Sequence, residues 1–302
     1  FGLDIGVVDD SSVANMESAL ASLEEFGSTL EDQQQVVELE SEEPGYPTLD
    51  RVNPAELIVI DIGSGYIKAG YANQPVPIVV IPTLTGRLQD SLAPQKGARL
   101  AVSAGGDPLA SINGDTVVGQ AAYDRRALLH LSRPLKRGQV SDWSAMRNLL
   151  LGALTSLNTD LRPATVLVLE SEASNQKENR VEVAKILLED FKLPFLFHAH
   201  SSTCTLLAER RTSGLIVDLG HTTAYITPVI QGQIVEQEAR QFPLSGQDIS
   251  QRLIALLEED GYRMFKSEAQ KMLVEDMKIA HAFVQTNTTL LAKLAKSQSG
   301  AQ

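Results

Sequence analysis

Two stretches of the chain carry residue types that together can hold a polyphosphate. One runs Ile58-Val59-Ile60-Asp61-Ile62-Gly63-Ser64-Gly65-Tyr66-Ile67-Lys68-Ala69-Gly70, the other Leu215-Ile216-Val217-Asp218-Leu219-Gly220-His221-Thr222-Thr223-Ala224-Tyr225-Ile226. Each is an apolar run, an Asp-x-Gly with small or hydroxyl residues, and a second apolar run. That pattern predicts a strand, a tight turn and a returning strand, written twice. Glycines in such turns let backbone N–H groups approach a phosphate. The carboxylates of Asp61 and Asp218 can hold a metal ion through its water shell. A single Asp-x-Gly specifies nothing. Two copies framed by apolar strands, able to face each other in a duplicated fold, point to nucleotide binding between two lobes.

The elements that must position these turns follow in order. Ile78–Ile81 predicts a strand ending at Pro82, and Leu88–Asp115 is a polar, glycine- and serine-rich stretch expected to form an exposed loop. Helical periodicity covers Ser144–Leu157, Lys177–Phe191, Ser201–Arg210, Asp248–Glu259 and Glu268–Phe283. Short apolar runs at Thr165–Leu169 and Phe195–Phe197 predict strands. Strands alternating with helices of this length argue for an α/β protein with mixed sheets. The expected division is a leader and linker over 1–50, a first lobe over 56–210, the start of a second lobe over 211–284, and a polar tail over 285–302.

The charge of the chain is unevenly spread. Of its 38 Asp and Glu residues, 13 lie in residues 1–50, which hold no Lys or Arg, so the remaining 25 acids meet 26 bases. The acidity belongs to the leader, and nothing suggests nucleic-acid binding by a basic face. Within the leader, Val13, Met16, Leu20, Leu23 and Phe26 recur at helical spacing. Val13–Phe26 is therefore read either as a solvated acidic segment or as a partner-docking helix that folds on its target. Cys204 is the sole cysteine, which excludes an internal disulfide and favours a reducing compartment. No apolar run approaches the roughly 20 residues that span a bilayer, so no membrane association is expected. The chain begins with Phe1 and is read as a fragment or a processed form.

The motifs resemble the actin family more particularly than the other folds that share paired phosphate turns. The stretch from Asp61 to Tyr71 resembles the first phosphate loop of actins. Ile81-Pro82, Gly86-Arg87, Val118-Gly119-Gln120-Ala121, Arg133-Pro134-Leu135 and Gly138–Trp143 continue the likeness in order. So do Asn175 to Arg180, Arg211–Gly214, Leu244–Asp248 and Val274–Lys278. The likeness runs over about residues 56–284 and implies an α/β actin-like duplicated fold, two lobes around a nucleotide cleft, incomplete at the C-terminal side.

The same resemblance implies the roles of individual residues. Asp61, Gly63, Ser64, Gly65, Tyr66, Lys68, Asp218, Gly220 and Lys278 would bind nucleotide. Ser64, Gly65 and Tyr66 would offer backbone N–H groups, and Lys68 a point charge. Asp61 and Asp218 would act on a Mg2+ ion through water, and Lys278 would pack against adenine. Read as residues alone, the alternative for Lys68 is a solvated strand lysine, and for Lys278 a surface helix lysine. ATP with Mg2+ is the implied cofactor.

The chain departs from the family pattern where hydrolysis is carried out. Ser201, beside His200, stands where actins place the glutamine that orients water, and Tyr225 stands where a histidine is common. His221 replaces an aspartate, Thr222 a glycine, and Ile279 the glutamate that grips the ribose. Phosphoryl transfer to water depends on positioning, so these losses predict very slow hydrolysis and no catalytic residue. The altered ribose position also leaves an empty cleft as an alternative. The spacing of His198, His200 and His221 matches no standard metal-ligand pattern. The leading expectation is a structural subunit of a multiprotein assembly, in the nucleus within a chromatin-remodelling complex, or alternatively in a ciliary or dynactin-like cytoskeletal complex. A polymerising ATPase of actin type and a small-molecule kinase are the competing classes.

Overall fold

The structure, a computed structural model, describes residues 52–88, 116–157, 164–171, 176–242, 244–263 and 265–283. The Val13–Phe26 segment, almost all of the Leu88–Asp115 stretch, Asn175 and the tail from 285 onward lie outside the described residues. In chain order the elements are β1 (Leu57–Ile62), β2 (Tyr66–Tyr71), β3 (Val79–Pro82), β4 (Thr85–Leu88), β5 (Thr116–Val118), α1 (Gly119–Asp124), β6 (Leu129–Ser132), β7 (Leu135–Lys136), β8 (Gln139–Val140) and α2 (Trp143–Thr155). They continue with β9 (Thr165–Glu170), α3 (Gln176–Ala184), β10 (Phe195–His200), α4 (Ser201–Ala208), β11 (Gly214–Leu219), β12 (Ala224–Ile230), β13 (Gln233–Ile234), β14 (Arg240–Phe242), α5 (Gly246–Glu259) and α6 (Glu268–His281).

The main sheet has the order β10-β9-β1-β2-β3, with β1, β9 and β10 parallel and β2 antiparallel to both its neighbours, β1 and β3. Its core face alternates as a half-covered sheet must. Ile58, Ile60, Ile67 and Val166 are fully buried, while Val59 and Asp61 face the other way. Met146, Leu149, Leu150, Ala153 and Leu154 of α2 cover that face at successive spacings of three, one, three and one, the apolar stripe of a 3.6-residue period. Asp142 starts α2 by accepting a hydrogen bond from Ala145 N–H. The second hairpin, β11–β12, carries β13 and β14 in a separate sheet.

A three-stranded sheet, β5-β4-β6, and α1 were not anticipated from the sequence. Strands of three or four residues are too short to display a period of two, and two of the strands flank the polar stretch. Leu84, Val117, Ala121, Ala122 and Leu129 form their own small core there, and Met272 from α6 closes it. The helix expected over Lys177–Phe191 also differs, because α3 passes into a π-helical turn over Lys185–Asp190. Phe191 N–H donates to Ile186 O and Leu193 N–H to Leu187 O, which keeps Ile186 and Leu187 in the core. The strand expected at Phe195–Phe197 runs on to His200.

Helix α6 opens with a capping box: Ser267 accepts from Gln270 N–H, and the Gln270 side chain accepts from Ser267 N–H. Ser267→Ala is expected to lower the unfolding free energy by about 1 kcal/mol, read by urea denaturation. Among the described residues no helix is long and apolar enough to cross a membrane.

Candidate functional site

The two turns fold by the same local rule. Gly63 N–H donates to Tyr66 O at 3.1 Å, and Gly220 N–H to Thr223 O at 2.9 Å. A Cβ on Gly63 or on Gly220 would lie 2.7 Å from that same carbonyl oxygen, so neither turn admits a side chain there. The first turn is braced by Thr83, whose Oγ1 donates to Gly63 O at 2.6 Å and whose N–H donates to Gly65 O at 2.9 Å. The second is braced by α5, where Gly246 N–H donates to Gly220 O at 3.0 Å and Gln247 N–H to His221 O at 2.8 Å.

Both turns line one cleft of about 690 Å³. Asp61, Gly63, Ser64, Gly65, Tyr66 and Lys68 contribute from one side, Asp218 and Gly220 from the other. The structure therefore brings together the paired carboxylates and the glycine turns that the sequence placed about half the chain apart. Corresponding positions of the two hairpins differ in one informative way. The strand partner of Asp61 is Lys68, and that of Asp218 is Tyr225. Lys68 Nζ lies 2.9 Å from Asp61 Oδ2 with both side chains partly exposed, so this lysine is engaged at the cleft wall.

Lys278 is the exception among the expected site residues, since it does not line the cleft. Its ammonium donates to Gly246 O and, at 2.8 Å, to Ser250 Oγ. Burial pushes its pKa down. Because Gly246 carries the second turn, Lys278 acts here as a buttress of that turn.

Beside Ser201, the cleft also gathers residues that the sequence reading did not place in a site. Ser201, Cys204, Thr205 and Ala208 line it from one face of α4, at spacings of three, one and three. That stripe was legible as a helical face, but nothing in the sequence said which way it pointed. Ser201 sits in the cleft lining, as does Tyr225, whereas His200 does not. Burial raises the Cys204 pKa, which disfavours the thiolate.

The three histidines are dispersed. His221 lines the cleft, and its pKa is lowered to about 4 by burial, with Arg133 and Lys278 adding to the effect. Its Nε2 is 3.7 Å from Glu275 Oε1, too far for a hydrogen bond, so the neutral imidazole makes no ion pair. His198 instead faces a separate cavity of about 70 Å³, where its Nδ1 lies 2.6 Å from buried Glu170. Glu170 also accepts from Arg180 Nε at 2.6 Å. Among the described residues, no three or more His, Cys, Asp or Glu side chains are grouped to hold a metal directly.

At the outer end, α6 lies against the small sheet. Arg133 reaches Glu275 at 2.9 Å and Glu268 at 3.3 Å. The hydroxyl of Tyr123 donates to Asp276 at 2.6 Å, which pushes the tyrosine pKa up to about 12, with burial adding to the rise. The Arg126 guanidinium stacks 4.4 Å from the Tyr123 ring.

A two-turn cleft of this kind, with a mixed five-stranded sheet carrying one turn and a second hairpin carrying the other, is an α/β arrangement of duplicated turns. The family model described as Actin matches residues 52–299. An "Actin-like protein" of Neurospora crassa is 32% identical over 228 residues, which is 75% of this chain and 56% of that relative. The chain thus spans about half the length of the curated relative it matches. It belongs to the actin family, as a divergent actin-related protein.

Proposed function

We propose that the chain is a structural subunit of a multiprotein assembly, a chromatin-remodelling complex in the nucleus, and that it holds ATP with Mg2+ while hydrolysing it very slowly. The carrying observation is Ser201 in the cleft wall. A serine hydroxyl on one methylene is too short and too mobile in its bonding to fix an attacking water as a long amide can. The adjoining Tyr225 and His221 supply no carboxylate base.

The residues fit the implied cofactor in the indirect sense. The turn N–H groups at Ser64, Gly65 and Tyr66 suit phosphate oxygens, and Lys68 supplies a charge at the same wall. Magnesium would supply charge neutralisation of the phosphates. Asp61 and Asp218, which line the cleft from opposite turns, would reach it through water.

Isothermal titration of the protein with Mg-ATP, followed by a long phosphate-release assay, tests the cleft. Saturable binding with release far slower than that of conventional actin is expected, and comparable turnover overturns the reading. A pull-down of the tagged full-length protein tests the assembly. Recovery of remodelling ATPases supports it, whereas axonemal or motor subunits would reassign it to the cytoskeleton.

A further inference from the structure

The two turns are joined by side chains of this chain's own. Thr222 Oγ1 donates to Ser64 Oγ at 2.8 Å and accepts from Arg137 N–H at 3.2 Å. Arg137 and Gly138 both have positive φ, 48° and 76°, as the tight β7–β8 connection requires. One buried hydroxyl therefore ties the first turn, the second turn and the β7–β8 hairpin. Beside it, His221 lies so close to the first turn that a Cβ on Gly65 would be 2.9 Å from the His221 Cβ. Farther out, the Arg133 ion pairs and the burial of Met272 hold α6 on the small sheet.

We propose that Thr222 is the keystone of a ligand-independent closure: its hydroxyl bridge to Ser64 keeps the two turns together whether or not a nucleoside triphosphate lies between them. A ligand shifts a conformational equilibrium only by its differential affinity for the two states, so a cleft already closed is shifted little by nucleotide. Ser64 Oγ only accepts in this bridge, so its own O–H stays available to a phosphate oxygen and nucleotide need not break the closure to bind. The inference deepens the structural-subunit reading of this cleft, since a subunit that closes by itself presents one shape to its partners. It does not require the hydrolysis rate to be slow.

Amide hydrogen exchange tests it on the full-length protein, stripped with EDTA and apyrase and then reloaded with Mg-ATP. The peptides to follow cover Ile58–Ile67 and Leu215–Thr223. Wild-type exchange in both should agree within about twofold between the stripped and loaded protein. In the stripped protein, Thr222→Val keeps the volume but not the hydroxyl, and should raise exchange in both turns about fivefold. Ser64→Ala removes the same bridge from the opposite side and should do likewise, while Thr222→Ser should match wild type. A wild-type rise of more than about tenfold on stripping overturns the proposal, as does wild-type-like protection in both bridge variants. Fast ATP turnover with the bridge intact would sink the slow-hydrolysis reading alone.

Discussion

Replacing Arg133 by methionine is expected to lower the unfolding free energy by about 3 kcal/mol, the low end of the range for breaking a buried ion pair from one side. The side chain of Arg133 is only 7% exposed, and among the described residues it is the one arginine or lysine ion-paired with Glu275. Burial already pushes the Glu275 pKa up, and Arg133 is the first charge opposing that rise. Without the guanidinium, the carboxylate is left in a half-dry seam between β6 and α6, with Lys278 as the remaining cation bearing on it. For a chain of this size, 3 kcal/mol corresponds to a fall of roughly 6–12 °C in the thermal midpoint. Adding Glu275→Gln should recover a large part of the loss, because an amide does not carry a buried charge. Thermal unfolding of wild type, single and double variants by circular dichroism checks this. A loss below about 1 kcal/mol would mean that Met272 packing alone holds the seam.

This seam was the part of the molecule least legible in the sequence. The paired turns, β1–β2, α2 and the strands after it stood out because their runs are long and periodic. Ile58 and Ile60 alternate with Val59 and Asp61, and α2 repeats its apolar stripe over two turns. The cleft was legible for the same reason, as two copies of one bend. By contrast, β4, β5 and β6 are three or four residues each, and their core is completed by Met272, some 140 residues away from Leu129 or farther from Leu84. Arg133, Glu268 and Glu275 are ordinary surface residue types, and only the fold turns them inward. Thr222 was visible as an oddity where the family has glycine, but its partner Ser64 lies 158 positions away. Lys278 shows the opposite case: its place in the motif suggested the ligand, while in this structure its bonds go to the carbonyl of Gly246 and the hydroxyl of Ser250, beside the second turn.

Acid should destabilise the protein through His221. Its folded-state pKa, lowered to about 4 from 6.5, means that the unfolded chain binds the proton more readily between those values. Stability from this group is therefore fully present above about pH 6.5 and is lost as pH falls toward 4, by about 3 kcal/mol in total. Glu275 works against this trend. Its pKa is raised, so the folded state holds that proton longer, and its contribution grows as pH falls through the raised value. The wild-type pH curve carries both effects, and a variant is needed to separate them. His221→Asn places a neutral polar side chain beside Gly65 that does not titrate in this window. The stability of wild type minus that of the variant, from urea denaturation between pH 7.5 and 4, should fall by about 3 kcal/mol on acidification. Parallel curves would show that His221 is solvated well enough to take its proton in place. The direction has a consequence for the cleft: an imidazolium at this position would sit with Arg133 and Lys278 and add a third positive charge behind the second turn. A polyphosphate between the turns would add to the offset that Glu275, 3.7 Å away, gives that charge, so bound nucleotide should raise the His221 pKa and shrink the acid loss.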